Sequence, residues 1–243
     1  VKVLVLGGGG REHAIVKALA RSAREPELWC APGNPGIAAE ATCLPDLDPS
    51  DPEAVVASAG ELGIDLVVVG PEAPLVAGVV DALASAGIRA FGPSREAARL
   101  EGSKAFAKEA MAEAGVPTAG YRVVSEADEA RSELDERSFP VVLKADGLAA
   151  GKGVLICFDR KEADRALEVL FEEKRFGDTE VLIEDFLEGQ ELSLLAICDS
   201  ERAIPLAPAR DFKRIGDGDS GPNTGGMGSF SPVPGIGDEE VRS

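Results

Sequence analysis

The stretch Val1-Lys2-Val3-Leu4-Val5-Leu6-Gly7-Gly8-Gly9-Gly10-Arg11-Glu12-His13 decides the reading of the first part of the chain. An apolar, β-branched run stops at four glycines, and an amphipathic, alanine-rich segment follows them. The run is far too short for a signal peptide or a membrane span. A continuous apolar strand, a glycine turn and a helix together open a parallel sheet covered on both faces. Working outward, further strand-like runs lie at 27–31, 64–69 and 88–91. Helix-like segments lie at about 12–22, 52–62, 76–86 and 94–100. Asp51-Pro52 and Ser94 read as helix starts, and Gly63 and Gly87 as helix stops. Residues 1–100 are therefore expected to form a doubly wound α/β domain.

The glycine run can bind an anion, because helix-start N–H groups point outward and glycine lets a phosphate approach the main chain. A dinucleotide fingerprint fails here. Counting from Gly7, the third glycine position is Glu12; counting from Gly8, it is His13. The second strand ends in Ala31-Pro32-Gly33-Asn34, without the acid that such a site needs. A sugar-phosphate site and a purely structural turn remain open. His13 is the only histidine and offers no metal cluster; a cap or packing role suits it better than catalysis.

After residue 100 the rhythm changes. A helix is expected at 103–114, capped by Ser103 and ended by Gly115-Val116-Pro117. Strands follow at about 120–124, 140–145, 154–158, 180–186, 191–199 and 202–206, with helices near 126–136 and 160–173. Short turns between strands indicate an α+β unit with an antiparallel sheet. Residues 210–237, rich in Gly, Asp and Pro, read as loop.

Three segments of this part could carry chemistry. The first is Lys144-Ala145-Asp146-Gly147-Leu148-Ala149-Ala150-Gly151-Lys152-Gly153. It is not a Walker A loop, since Asp146 stands where the first glycine belongs and Gly153 where Ser or Thr belongs. It reads as a strand-borne lysine and a glycine lid over phosphates, against the plainer reading of a hairpin loop with solvated lysines. The second is Val181–Glu191, where an apolar strand running into a linker offers backbone groups to an adenine edge; a plain core strand explains it equally well. The third is Asp211-Phe212-Lys213-Arg214 with Gly221–Gly228, which suits an anionic substrate or is a charged surface loop.

Composition narrows the partners. The chain has 43 acidic and 25 basic residues among 243, a net charge of −18, which repels phosphate backbones and argues against nucleic acid. Cys30, Cys43, Cys157 and Cys198 are far apart and form no Cys-x-x-Cys pair. The expectation is a reduced, cytoplasmic protein with no membrane role. The chain begins at Val1 rather than Met, which suggests a trimmed residue or a fragment.

Taken in order, GGGGREHA at 7–14, APGNPG at 31–36, VGPEAPLVAGVVD at 69–81 and FGPSREAARLEGSKAFAK at 91–108 resemble the phosphoribosylamine–glycine ligases of the ATP-grasp superfamily. VVLKADGLAAGKGV at 141–154, IEDFLEGQELS at 183–193 and DFKRIGDGDSGPNTGGMG at 211–228 extend the resemblance over nearly the whole chain. Phe212 departs from it, standing where many members have His.

The resemblance implies an N-terminal doubly wound domain at 1–100 and a partial, α+β ATP-grasp domain at 101–243, with a lid at about 119–188. It implies ATP and Mg2+ (or Mn2+) as cofactors, and glycine and phosphoribosylamine as substrates. Glycine would be activated as an acyl phosphate and then attacked by the amine, giving glycinamide ribonucleotide. Another ATP-grasp carboxylate–amine ligase, or a non-catalytic nucleotide-binding module, is the alternative. By the resemblance, Lys104, Lys144, Gly147, Ala149, Ala150, Gly151, Lys152 and Gly153 hold phosphates. Glu184, Phe186 and Leu187 frame adenine, and Glu191 takes the ribose. Gly9, Gly10, Asn34 and Glu72 face the sugar phosphate, while Asp211, Lys213, Thr224, Gly225 and Gly226 line the reacting site. The Glu and Asn pair that holds magnesium in the family has no counterpart at 229–243. These 243 residues alone are accordingly expected not to turn over, and to expose apolar surface on the 180–206 strands.

Overall fold

The computed structural model describes residues 1–149, 153–199, 201–218 and 220–242. It divides into two compact units, Val1–Val116 and Pro117–Ser243.

The first unit holds a parallel sheet of β1 (Lys2–Gly7), β2 (Glu27–Pro32), β3 (Thr42–Cys43), β4 (Leu66–Val69) and β5 (Arg89–Phe91), in the order β3-β2-β1-β4-β5. Its helices are α1 (Gly10–Ala20), α2 (Pro52–Leu62), α3 (Glu72–Ala77), α4 (Val79–Ser85), α5 (Arg95–Gly102) and α6 (Lys104–Glu113). Successive strand residues face opposite sides. Leu4 and Leu6 pack with Val55 and Ala59 of α2 and with Val79 and Leu83 of α4. Val3 and Val5 pack on the other side with Val16 of α1 and with Ile37. Both faces of β1 are buried, which is why it is written as an unbroken apolar run.

The helix starts follow the sequence signals. Asp51 accepts from the Glu53 and Ala54 N–H groups, Ser94 from Ala97, and Ser103 from Phe106. Asp51→Ala is expected to lower the stability of the first unit by about 1 kcal/mol, read as a shifted urea midpoint with unchanged slope. Two features differ from expectation. The helix expected at 76–86 is two helices, because Gly78 adopts a left-handed φ of 91° and ends α3. Strand β3 has no apolar run to announce it; it exists through its pairing with β2, Trp29 to Thr42 and Cys30 to Cys43.

In the second unit β6 (Tyr121–Val124), β7 (Val141–Ala145), β8 (Val154–Cys157) and β9 (Val181–Asp185) form an antiparallel sheet in the order β6-β9-β7-β8. Helices α7 (Ala127–Asp135) and α8 (Arg160–Leu167) cover one face. There Val141, Leu143, Ala145, Val181 and Ile183 meet Ala130, Leu134, Ala163 and Leu167. The helix expected at 160–173 changes to π winding at Glu168–Glu172. Burial pushes the Cys157 thiol up to about 11, as it does that of Cys30, so both stay protonated near neutral pH.

The last part departs further from the sequence reading. Of the strand expected at 191–199, only β10 (Ala196–Cys198) forms; it pairs with β11 (Ala203–Pro205), and Ser193 bridges to Ala209. The loop expected at 210–237 is instead a hairpin of β12 (Arg210–Gly216) and β13 (Ser220–Phe230) as far as Phe230. Its strands are held by backbone pairing with register shifts, and β13 is too rich in glycine to show an apolar period. A short helix, α9 (Asp238–Arg242), follows. The exposure expected on 180–206 excludes β9, where Val181, Leu182 and Ile183 are at most 1% exposed. Exposed apolar side chains lie on the segments after it, led by Leu187 at 70%, Leu195 at 66% and Ile204 at 62%.

Candidate functional site

In the first unit, strand order reverses between β1 and β4, and the loops beyond their carboxyl ends flank the crevice where open α/β sheets take ligands. Gly7–Gly10 follow β1 and Gly70 follows β4. The carboxylate of Glu12, a residue only 3% exposed, lies against both loops. Its Oε2 accepts from the Gly9 N–H at 2.7 Å, and its Oε1 from Arg11 Nε at 3.0 Å. A Cβ on Gly7 or Gly70 would come within 2.6 Å of Glu12 Cγ, so glycine is needed at both positions for Glu12 to fit. Arg11 reaches on with Nη1 to Glu72 Oε1 at 2.9 Å, at the first turn of α3. Chiefly through this hydrogen bond, Arg11 holds the Glu72 carboxyl below its ordinary value, and Glu72 raises Arg11 in turn.

Asn34 belongs to the same crevice. Its Nδ2 donates to the Gly8 carbonyl at 2.9 Å, while its Oδ1 accepts from the Gly36 and Ile37 N–H groups. Gly9 and Gly10 are exposed, and a Cβ on Gly10 would meet nothing within 4 Å. The four residues expected at the sugar phosphate thus lie around one framework, since Arg11 and Glu12 link the glycine turn to Glu72 and Asn34 links to Gly8. Arg11 and Glu12 are not among the residues that the sequence singles out for this site. For Glu12 the signal is a charged residue at the third-glycine position, where a dinucleotide site needs close backbone packing. His13 contributes packing, its ring lying against Gly36.

In the second unit the sheet face away from α7 and α8 carries Val142, Lys144, Leu182 and Glu184 by strand alternation. Lys144 pairs in register with Leu182, and Val142 with Glu184, so the two charged residues meet diagonally. Lys144 Nζ donates to Glu184 Oε2 at 2.8 Å, and Glu184 is 4% exposed. The glycine loop leaves β7 after Ala145, one residue past Lys144, with Gly147 at a left-handed φ of 86°. Gly153 returns it with a carbonyl that accepts from the Ala145 N–H, close against Ala149. Ala150, Gly151 and Lys152 lie outside the described residues. Phe186 stands 6.3 Å from Phe158, ring centre to ring centre, and Leu187 is 70% exposed just past the strand. This face offers a cation, a buried carboxylate and apolar walls.

The β12–β13 hairpin gathers the other expected residues. Lys213 Nζ lies 3.2 Å from Glu191 Oε2 and 3.7 Å from Asp211 Oδ2. Thr224 Oγ1 donates to the Lys213 carbonyl and accepts from the Gly226 N–H, which ties Gly225 into the same turn of β13. Asp211 Oδ1 is buried with no hydrogen-bond partner among the described residues. Glu191, expected at a ribose, is thereby grouped with Asp211 and Lys213. Lys104 opens α6 in the first unit. Phe212, at the position that departs from the family pattern, faces Phe230 at 6.1 Å.

Among the described residues, no three of His, Cys, Asp or Glu come together as a metal group. No helix among them is long and apolar enough to cross a membrane.

Comparison with known proteins gives first the class. The fold matches the biotin carboxylase domain of Hydrogenobacter thermophilus 2-oxoglutarate carboxylase with a TM-score of 0.71 and 24% identity, over 88% of this chain and 50% of that one. Residues 102–243 match the phosphoribosylglycinamide synthetase ATP-grasp (A) domain, and residues 1–101 match the N domain of the same synthetase. The fold is that of the ATP-grasp class. The chain belongs to the phosphoribosylglycinamide synthetase family. It is 52% identical to the phosphoribosylamine–glycine ligase of Brucella melitensis over 96% of its own length and 55% of the relative's. The crystal structure of the Thermotoga maritima phosphoribosylamine–glycine ligase superposes with a TM-score of 0.84 at 36% identity, covering 100% of this chain and 58% of that one. The chain thus spans about half the length of the curated relatives it matches.

Proposed function

We propose that this chain carries the sugar-phosphate site and the nucleotide lid of a ligase that joins glycine to 5-phosphoribosylamine with ATP. The observation that carries the reading is the Lys144–Glu184 pair, 2.8 Å long, on the open face of the lid sheet below a glycine loop. A lysine fixed on a strand presents a point charge to a phosphate without losing much side-chain freedom on binding. The neighbouring Val142 and Leu182 supply the apolar wall that an adenine ring needs. Glu184, Phe186 and Leu187 frame the base, and Gly147, Ala149 and Gly153 meet the phosphates. The identity of the acceptor rests on the ligase relatives and on the first-unit crevice, where Gly9, Gly10, Asn34 and Glu72 face the sugar phosphate.

The reaction balances in two steps. A glycine carboxylate oxygen attacks the γ-phosphorus of ATP and ADP leaves, giving glycyl phosphate. The amine of phosphoribosylamine then attacks the carbonyl carbon, phosphate leaves, and the amine loses a proton to give glycinamide ribonucleotide. None of these residues acts as a nucleophile; positioning and charge stabilisation carry such transfers. Lys213, held by Glu191 and Asp211, is the cation placed to meet the anionic intermediate.

The test uses a protein of the relatives' full length that carries these residues. With ATP, magnesium and glycine, hydroxylamine is expected to intercept the acyl phosphate as glycine hydroxamate. Adding phosphoribosylamine is expected to divert it to glycinamide ribonucleotide. Absence of both products, with ATP still bound, would reduce the chain to a nucleotide-binding module.

A further inference from the structure

We infer that Glu12 is the positioning residue of the sugar-phosphate site, acting through Arg11 to hold Glu72 in place for the ligand. The inference rests on the reading that this crevice receives the phosphoribosyl group, and adds two residues to it. Glu12 is one of very few charged side chains buried in the first unit, and it lies at the switch point rather than in either apolar core. Two glycines, Gly7 after β1 and Gly70 after β4, leave the space that its side chain fills. Its two oxygens are divided between the turn and the cation: Oε2 holds the Gly9 N–H and Oε1 holds Arg11 Nε.

Arg11 is 54% exposed and Glu72 41%, so their contact alone would be a weak surface pair. Anchoring one end of the arginine on a buried carboxylate removes its rotational freedom in advance. Glu72 is then preset in the wall of a cavity of about 310 Å³ that it lines with Leu75, Pro93 and Ala97. A preset carboxylate can accept sugar hydroxyls without a fresh ordering cost on binding. The chain Gly9–Glu12–Arg11–Glu72 therefore couples the anion-binding turn to a hydroxyl acceptor across the crevice. Each end suits one part of a sugar phosphate.

The test compares Glu12→Gln, Arg11→Met and the double variant, titrated calorimetrically with ribose 5-phosphate and separately with ATP. Glutamine keeps an acceptor for the Gly9 N–H but loses the charge that holds Arg11. Each single variant is expected to weaken ribose 5-phosphate about tenfold and leave ATP unchanged. If Glu12 acts through Arg11, the double variant is no weaker than Arg11→Met, because the second change removes nothing further. Additive losses would make Glu12 a structural support of the turn and overturn the inference. So would unchanged binding in either single variant. If Glu12→Gln does not fold, full ribose 5-phosphate affinity in Arg11→Met suffices to reject it. Failure of the unaltered protein to bind ribose 5-phosphate would instead remove the crevice reading on which the inference stands.

Discussion

Replacing Lys144 with alanine is expected to lower ATP affinity about tenfold or more, since a hydrogen bond to a charged group contributes about 1.5–3 kcal/mol. The same change also removes the cation beside Glu184, which is 4% exposed. Breaking a fully buried pair from one side costs about 3–5 kcal/mol. Lys144 is 27% exposed at its side chain, so water reaches the pair and a loss of about 1–3 kcal/mol is expected for the second unit. The two effects can be separated with Lys144→Ala/Glu184→Gln. Neutralising the carboxylate should recover most of the stability and none of the ATP affinity. Calorimetric titration with ATP and chemical denaturation give the two readouts. Unchanged ATP affinity in Lys144→Ala would place the nucleotide elsewhere.

The second large effect is a contrast between two glycines of one crevice. At Gly10 a Cβ meets nothing within 4 Å, so Gly10→Val should leave stability within about 0.5 kcal/mol of the parent. Its side chain would stand where a phosphate approaches the start of α1. The Michaelis constant for phosphoribosylamine is expected to rise about tenfold or more, with that for ATP unchanged. At Gly70 a Cβ would come within 2.6 Å of Glu12 Cγ, and the buried carboxylate must leave its seat. Gly70→Val should therefore cost about 1–3 kcal/mol of stability and weaken phosphoribosylamine as well. Steady-state kinetics and denaturation, run on both variants, check the contrast. Equal effects of Gly10→Val on both substrates would return the glycine run to a structural turn.

The local pieces of this protein are readable from residue order alone, for reasons that act over a few residues. Val3–Leu6 must be a buried strand because both of its faces are apolar, and Asp51, Ser94 and Ser103 start helices because their oxygens reach the next N–H groups. The failed dinucleotide and Walker A patterns also depend on single residues, Glu12 and Asp146, at counted positions. What needed the tertiary structure was everything set by neighbours distant in the chain. Lys144 and Glu184 are 40 residues apart, and only the β7–β9 register makes them partners. The β12–β13 hairpin is not legible in the sequence because its backbone pairs while its side chains, glycine after glycine, show no period. Glu12 looked like a fault in a glycine fingerprint. Its burial has meaning only once strand order places Gly7 and Gly70 at the switch point, leaving a space between two loops that a carboxylate fills.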